Sequence, residues 1–245
     1  MDESLKSIEN AARFTAAKGI KRFTKFLDPA EAESARQIAS SYGTKFSAFG
    51  GYPAAERVVG CFYPMDEVIN ETEYPFVCLG SKYSRKFHSV THRDLLGAFM
   101  ALGLTRACIG DIIIVESDIY LFAEEKTAEY IAVSMTAAGR VTLDFQILQE
   151  IPVMPEPEGS DFSCVLSSLR LDAVLAGAYR LSRNEAQELI RSGIVKVNHL
   201  VCEHVDTQLK ENTLLSIRGK GRIRLKTING TTRKQRIGVT FFRYV

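Results

Sequence analysis

Two groups of side chains near the end of this 245-residue chain have the type and spacing to hold phosphate. Between Ser182 and Ser192, Arg183, Gln187 and Arg191 recur every four residues, which on a helix lines two guanidinium groups and an amide along one exposed edge. In Arg222-Ile223-Arg224-Leu225-Lys226 the cations take every second position. On a strand, Arg222, Arg224 and Lys226 then form a ridge on one face while Ile223 and Leu225 point to the other. A charge run is usually just a solvated face, so the surrounding balance decides its meaning. Residues 163 to 245 hold 15 Lys+Arg against 6 Asp+Glu, a net of +9, while residues 1 to 162 hold 16 against 23, a net of −7. Fixed positive charge of that density attracts polyanions and gains from counterion release, which makes nucleic acid the leading partner. The alternative, a basic domain that only balances its own acidic half, stays open on charge alone.

Other chemistry finds less support. There is no G-x-x-x-x-G-K and no G-x-G-x-x-G, because Gly219-Lys220-Gly221 lacks the third glycine. His88 and His92 stand four apart, but no HExxH surrounds them and His88 precedes the predicted helix start. No metal, cofactor or catalytic residue is expected. Lys82, Arg85, Lys86, His88, His92 and Arg93 read instead as a second, weaker basic patch. Lys18, Lys21, Arg22 and Lys25 with Phe23 and Phe26 make a third, which an amphipathic helix end explains equally well. Cys61, Cys78, Cys108, Cys164 and Cys202 are odd in number and unpaired in spacing, as reduced and mostly buried thiols would be.

The elements that must position these groups follow from periodicity. Leu171, Val174, Leu175 and Ala178 form a helical stripe; Ser182 and Glu185 make a capping box and Gly193 a left-handed stop, which predicts a second helix over residues 183 to 192. Asn229-Gly230 predicts a type I′ turn, and the returning strand, Ile237 to Val245, adds Arg243, with Arg233, Lys234 and Arg236 near the bend. Upstream, the proline-rich IPVMPEPEGSDF is a stiff connector. The chain is long enough for two or three small cores, and its 46% hydrophobic and 24% charged residues exclude wholesale disorder. No apolar run reaches the roughly 18 residues of a membrane helix. The acidic, amphipathic start is unlike a secretory signal, so a cytoplasmic protein with no membrane partner is expected.

Nearer the start, residues 3 to 42 look helical: Leu5, Ile8, Ala12 and Ala16 recur at helical spacing, and a second helix runs from Asp28-Pro29 to Gly43. Phe46 to Phe49 and Val58 to Tyr63 read as strands around Gly50-Gly51-Tyr52-Pro53. From Tyr74 the order is strand (Phe76 to Leu79), helix (Thr91 to Leu102), strand (Asp111 to Val115), strand (Ile119 to Phe122), helix (Glu124 to Ala137), strand (Val141 to Leu148). That βαββαβ order predicts a ferredoxin-like, RRM-like plait whose sheet keeps one face clear of helices. Tyr120 and Phe122 alternate onto one face, either to stack on bases or to join the core. The expected fold class is α+β: an N-terminal α+β unit (1–73), the plait (74–150), a linker (151–162) and a C-terminal domain (163–245).

The string Arg-Leu-Asp…Ser-Arg…Ala-Gln…Leu-Ile…Gly…Val-x-Val-Asn between Arg170 and Asn198 resembles the S4 domain, a small RNA-binding module. Phe26-Leu27-Asp28-Pro29, the segment His92 to Leu104 and Ile109-Gly110-Asp111-Ile112 are similar to YlmH-type proteins of Gram-positive bacteria, which extends the resemblance over nearly the whole chain. It implies a C-terminal S4 domain behind an RNA-binding domain of plait form. It also implies a role on the large ribosomal subunit in rescue of stalled translation, with ribosomal RNA and tRNA as partners, and a link to cell division. By that resemblance Arg170, Ser182, Arg183, Gln187, Arg191, Lys196 and Asn198 face RNA. Two turns depart from the pattern, with Asn198-His199 where Asn-Gly is common and Glu211-Asn212 where Gly-Asp is common.

The expected protein is therefore a monomeric, non-enzymatic RNA-binding factor. Two other classes stay open: an RNA-modifying enzyme with its body in residues 1 to 162, and a protein adaptor anchored by the basic domain. If the arginine edge serves RNA alone, its alanine variants should barely change thermal stability.

Overall fold

The computed structural model describes residues 3–84, 89–231 and 235–245, which fall into two compact units, Met1–Pro155 and Glu156–Val245. The first opens with α1 (Glu3–Lys18), β1 (Arg22–Leu27), α2 (Pro29–Ser41), β2 (Lys45–Phe49) and β3 (Val58–Tyr63). Asp28 caps α2 through a capping box with Glu31, as the Asp-Pro signal predicts. The strands pair antiparallel in the order β1-β3-β2. The segment expected to be helical throughout residues 3 to 42 is thus interrupted by a strand.

The plait follows as β4 (Phe76–Lys82), α3 (His92–Ala101), β5 (Ile109–Val115), β6 (Asp118–Glu124) and α4 (Glu125–Ser134). The expected last strand is broken. β7 (Ala137–Ala138) pairs with β8 (Val141–Thr142), and only β9 (Gln146–Ile147) joins the main sheet, whose order is β5-β6-β4-β9. That antiparallel order is the one a βαββαβ plait requires. Leu95 and Phe99 of α3 and Ala128 and Ile131 of α4 bury against Leu79, Ile119 and Leu121 on one face of the sheet.

The other face is not free. Cys78 and Phe122 of the plait meet Phe26, Val59 and Cys61 of the first sheet in one buried cluster, with Tyr52 stacked on Phe122 at 5.7 Å. Gly51, at φ +97, lets this happen: a Cβ there would come within 2.1 Å of the Phe122 ring. Polar groups reinforce the seam. Asp111 accepts from the Tyr52 hydroxyl and from the N–H of Glu56 and Arg57, while the Arg57 guanidinium donates to the carbonyls of Phe26, Arg106 and Ile109. Residues 1–73 and 74–150 therefore share a core.

The second unit comprises β10 (Gly159–Leu166), α5 (Leu171–Tyr179), α6 (Arg183–Arg191), β11 (Val195–Val197), β12 (Leu200–Val201), β13 (Leu214–Ile217), β14 (Gly221–Thr231) and β15 (Ile237–Tyr244). The end of the expected linker, residues 159–162, is strand: β10 pairs with β15 from Gly159↔Tyr244 onward, and Phe162 stacks on Phe241 at 5.3 Å. The helices cover one face of the antiparallel sheet β10-β15-β14-β13-β11-β12, burying Leu171, Val174, Leu175, Ala186 and Ile190 against Leu215, Ile223, Leu225, Val239 and Phe241. Asn229-Gly230 makes no turn, since β14 runs on to Thr231 opposite Ile237 and Asn229 bonds Thr240 at 2.8 Å. Arg233 and Lys234 lie outside the described residues. All five cysteines are free, two of them buried and three partly so.

Candidate nucleic-acid interface

On the helix layer three of the predicted residues converge on a fourth that sequence reasoning did not single out. Asp172, in the first turn of α5, is 0% exposed. Its carboxylate accepts from Arg183 at 2.6 Å, Gln187 at 3.0 Å and Arg170 at 3.3 Å. Burial alone would raise its pKa; the bonds from Gln187, Arg170 and Arg183 outweigh that and hold the carboxyl below the ordinary range. The two guanidinium groups keep 39% and 44% of their side-chain surface exposed. One buried anion thus orients two half-open cations, and the cluster retains an excess of positive charge. The available signal was an aspartate set in the otherwise apolar helix LDAVLAGAY, two residues after Arg170.

The remaining helix-layer candidates have different surroundings. Ser182 caps α6, accepting from the Glu185 N–H at 3.1 Å while its own N–H donates to the Glu185 carboxylate. Arg191 is exposed in the last turn of α6, where a cation also suits the helix dipole. Asn198 and His199 both adopt left-handed φ, 46° and 70°, and form the two-residue loop between β11 and β12. The Asn198 side chain is engaged there, accepting from the Leu214 N–H at 2.9 Å. The second departure, Glu211-Asn212, is absorbed in the same way, with Asn212 at φ 65°.

The outer sheet face carries the ridge. Ile223 and Leu225 are fully buried beneath the helices, so Arg222, Arg224 and Lys226 point away from them, as the alternation predicts. Register places Lys196 opposite Ser216 and Ser216 opposite Arg222, which moves Lys196 from the helix edge to this face. Two aromatic rings on β15 order the cations. Arg222 and Arg224 lie over Tyr244 at 5.1 and 5.9 Å, Arg224 also donates to its hydroxyl at 2.8 Å, and Lys226 lies over Phe242 at 5.9 Å. Asp161 on β10 pairs with Lys226 at 2.7 Å. The signal for these rings was the alternation in TFFRY. Arg243 does not join the ridge: it lies over Phe162 at 4.8 Å and donates to the Ala178 carbonyl that ends α5.

Elsewhere the plait's aromatic face is taken. Phe122 is buried against the first sheet, and Tyr120 packs beside it, so the core reading of that pair holds. In the second basic patch Lys82 pairs with Asp118 at 3.5 Å, His92 and Arg93 are exposed at the start of α3, and Arg85, Lys86 and His88 lie outside the described residues.

Two helices over an antiparallel sheet, with ordered cations on both exposed layers, fit the RNA-binding module of the S4 class that the sequence resembles. Comparison with known proteins agrees: residues 169–215 match the S4 domain, and residues 70–152 match a domain described as "Putative RNA-binding domain in YlmH". The chain belongs to the YlmH family. It is 36% identical over 226 residues to the ribosome-associated protein quality control protein P2 of Bacillus subtilis, covering 91% of this chain and 87% of that protein. The solved cell division protein ylmH of Streptococcus pneumoniae is similar in fold, with a TM-score of 0.51 at 20% identity over 59% of this chain and 88% of that one.

Proposed function

We propose that this chain is a non-enzymatic, cytoplasmic RNA-binding factor that docks as a monomer on the large ribosomal subunit, touching ribosomal RNA and tRNA, in the rescue of stalled translation. A link to cell division is carried as part of the same proposal. The observation that supports it most is the outer sheet face, where Lys196, Arg222, Arg224 and Lys226 are exposed or half-exposed, three of them are ordered by Tyr244 and Phe242, and Asp161 pairs with Lys226. Cations held in place by rings lose less freedom on meeting phosphate than free side chains do. The Arg170 and Arg183 forks on Asp172 and the exposed Arg191 add phosphate donors on the helix layer. Ordered phosphate contacts favour recognition of folded RNA by shape. The name borne by the Bacillus subtilis relative supplies the ribosomal setting.

The test is co-sedimentation of the full chain with purified large subunits from low to high salt. Association that weakens steeply with salt, and whose salt slope falls by about two in the triple variant Arg222→Gln, Arg224→Gln, Lys226→Gln, because Lys226 is already paired with Asp161, is the expected result. Association indifferent to salt and to those three changes would sink the reading.

A further inference from the structure

The residues before position 70 precede both matched regions, yet they carry a cluster of basic side chains in the acidic half of the chain. Between α1 and β1 runs a groove of about 780 Å³ whose walls present Arg13, Phe14, Lys18, Arg22, Phe23 and Lys25, with Glu124 as the acid among its lining residues. The Arg22 guanidinium lies over the Phe14 ring at 5.0 Å, and Phe14 remains 38% exposed. Among the described residues none of the four cations forms an ion pair, whereas neighbouring Lys21 holds Glu73 at 2.8 Å and Glu67 at 3.6 Å. Ser7 and Asn10 add polar groups to the same walls, whereas the Thr24 hydroxyl donates to the Lys25 carbonyl and accepts from the Gly60 N–H.

We propose that this groove binds a segment of single-stranded RNA, its phosphates on Arg13, Lys18, Arg22 and Lys25 and a base against Phe14. Cations that track a backbone beside an exposed ring are the arrangement that holds single strands without reading sequence. The polar groups suit base edges and the 2′-hydroxyl. The inference rests on the RNA-binding reading above but assigns a second surface to it, in the unit that reading leaves unused.

The experiment uses the full chain and a single-stranded RNA oligonucleotide carrying 4-thiouridine, cross-linked by irradiation and mapped by peptide mass spectrometry, alongside fluorescence anisotropy from low to high salt. Cross-links are expected between residues 13 and 25. The triple variant Arg13→Gln, Arg22→Gln, Lys25→Gln should flatten the salt slope by about two, at roughly 0.7 per phosphate on a single strand. Phe14→Ala should weaken binding at least about fivefold, and Lys21→Gln, already paired to glutamates, should leave the slope unchanged. Cross-links confined to residues 163–245 with an unaltered slope in the triple variant overturn the groove and leave the RNA reading standing. Absence of cross-links anywhere in the chain overturns both.

Discussion

Asp172 shows how a residue can serve the fold and a binding surface together. A buried carboxylate stays ionised only if donors replace its water, and here Arg170, Arg183 and Gln187 do so. The edge is therefore not independent of stability, and the expectation that its alanine variants would barely change thermal stability does not hold. Removing Arg183 leaves the anion short of its 2.6 Å partner. Arg183→Ala should cost about 1–2 kcal/mol, the lower part of the range for a charge-assisted bond because the guanidinium is half in water. The urea midpoint at neutral pH measures this. The sign of the pH dependence follows from the depressed pKa. Between the folded value and the ordinary 3.8 the unfolded chain binds more protons, so this stabilisation is present above that window and is lost as pH falls through it. Asp172→Asn should lower the midpoint at pH 7 yet lose less than wild type between pH 7 and pH 3. Equal losses in the two proteins would remove Asp172 from the acid limb.

At the scale of elements, the plait's sheet is covered on both faces, by α3 and α4 on one side and by the β1-β3-β2 sheet on the other. Phe122→Ala should therefore cost about 3–5 kcal/mol, the range for emptying a buried ring site, with RNA affinity unchanged when normalised to folded protein. A large loss of affinity with intact stability would return Phe122 to the binding face. Elements whose signals are local were legible in the sequence: the N-cap at Asp28 with Pro29 behind it, the capping box at Ser182, the stripe of α5, and the alternation of β14 that separates Ile223 and Leu225 from the cations. Features set by a distant partner were not. β1 escaped because its register shifts between Phe23 and Phe26, which breaks the period-two pattern of RFTKFL. The function of Tyr120 and Phe122 depended on which sheet lay opposite, and the place of Lys196 depended on its pairing with Ser216. Asp172 stood in plain view as a residue, but its partners lie up to fifteen positions away.

At the scale of the molecule, positive charge is concentrated in the C-terminal unit, and among the described residues the sheet that carries it has helices on one side. Arg191 lies on the helix layer and the Arg222, Arg224 and Lys226 ridge on the opposite sheet face, so their contributions to RNA binding should be energetically separate. If large-subunit RNA meets both layers, Arg191→Gln should reduce the salt slope by about one and the ridge triple by about two, and the combined variant should lose the sum of the two changes in log affinity. If RNA meets one layer, the combined variant should match the single-layer variant that weakens binding, because the other cations then only keep the surface solvated. Salt titrations of the four proteins against the same purified subunit separate the two cases, since charge that only solvates a surface changes the slope by far less than charge that displaces counterions from a phosphate.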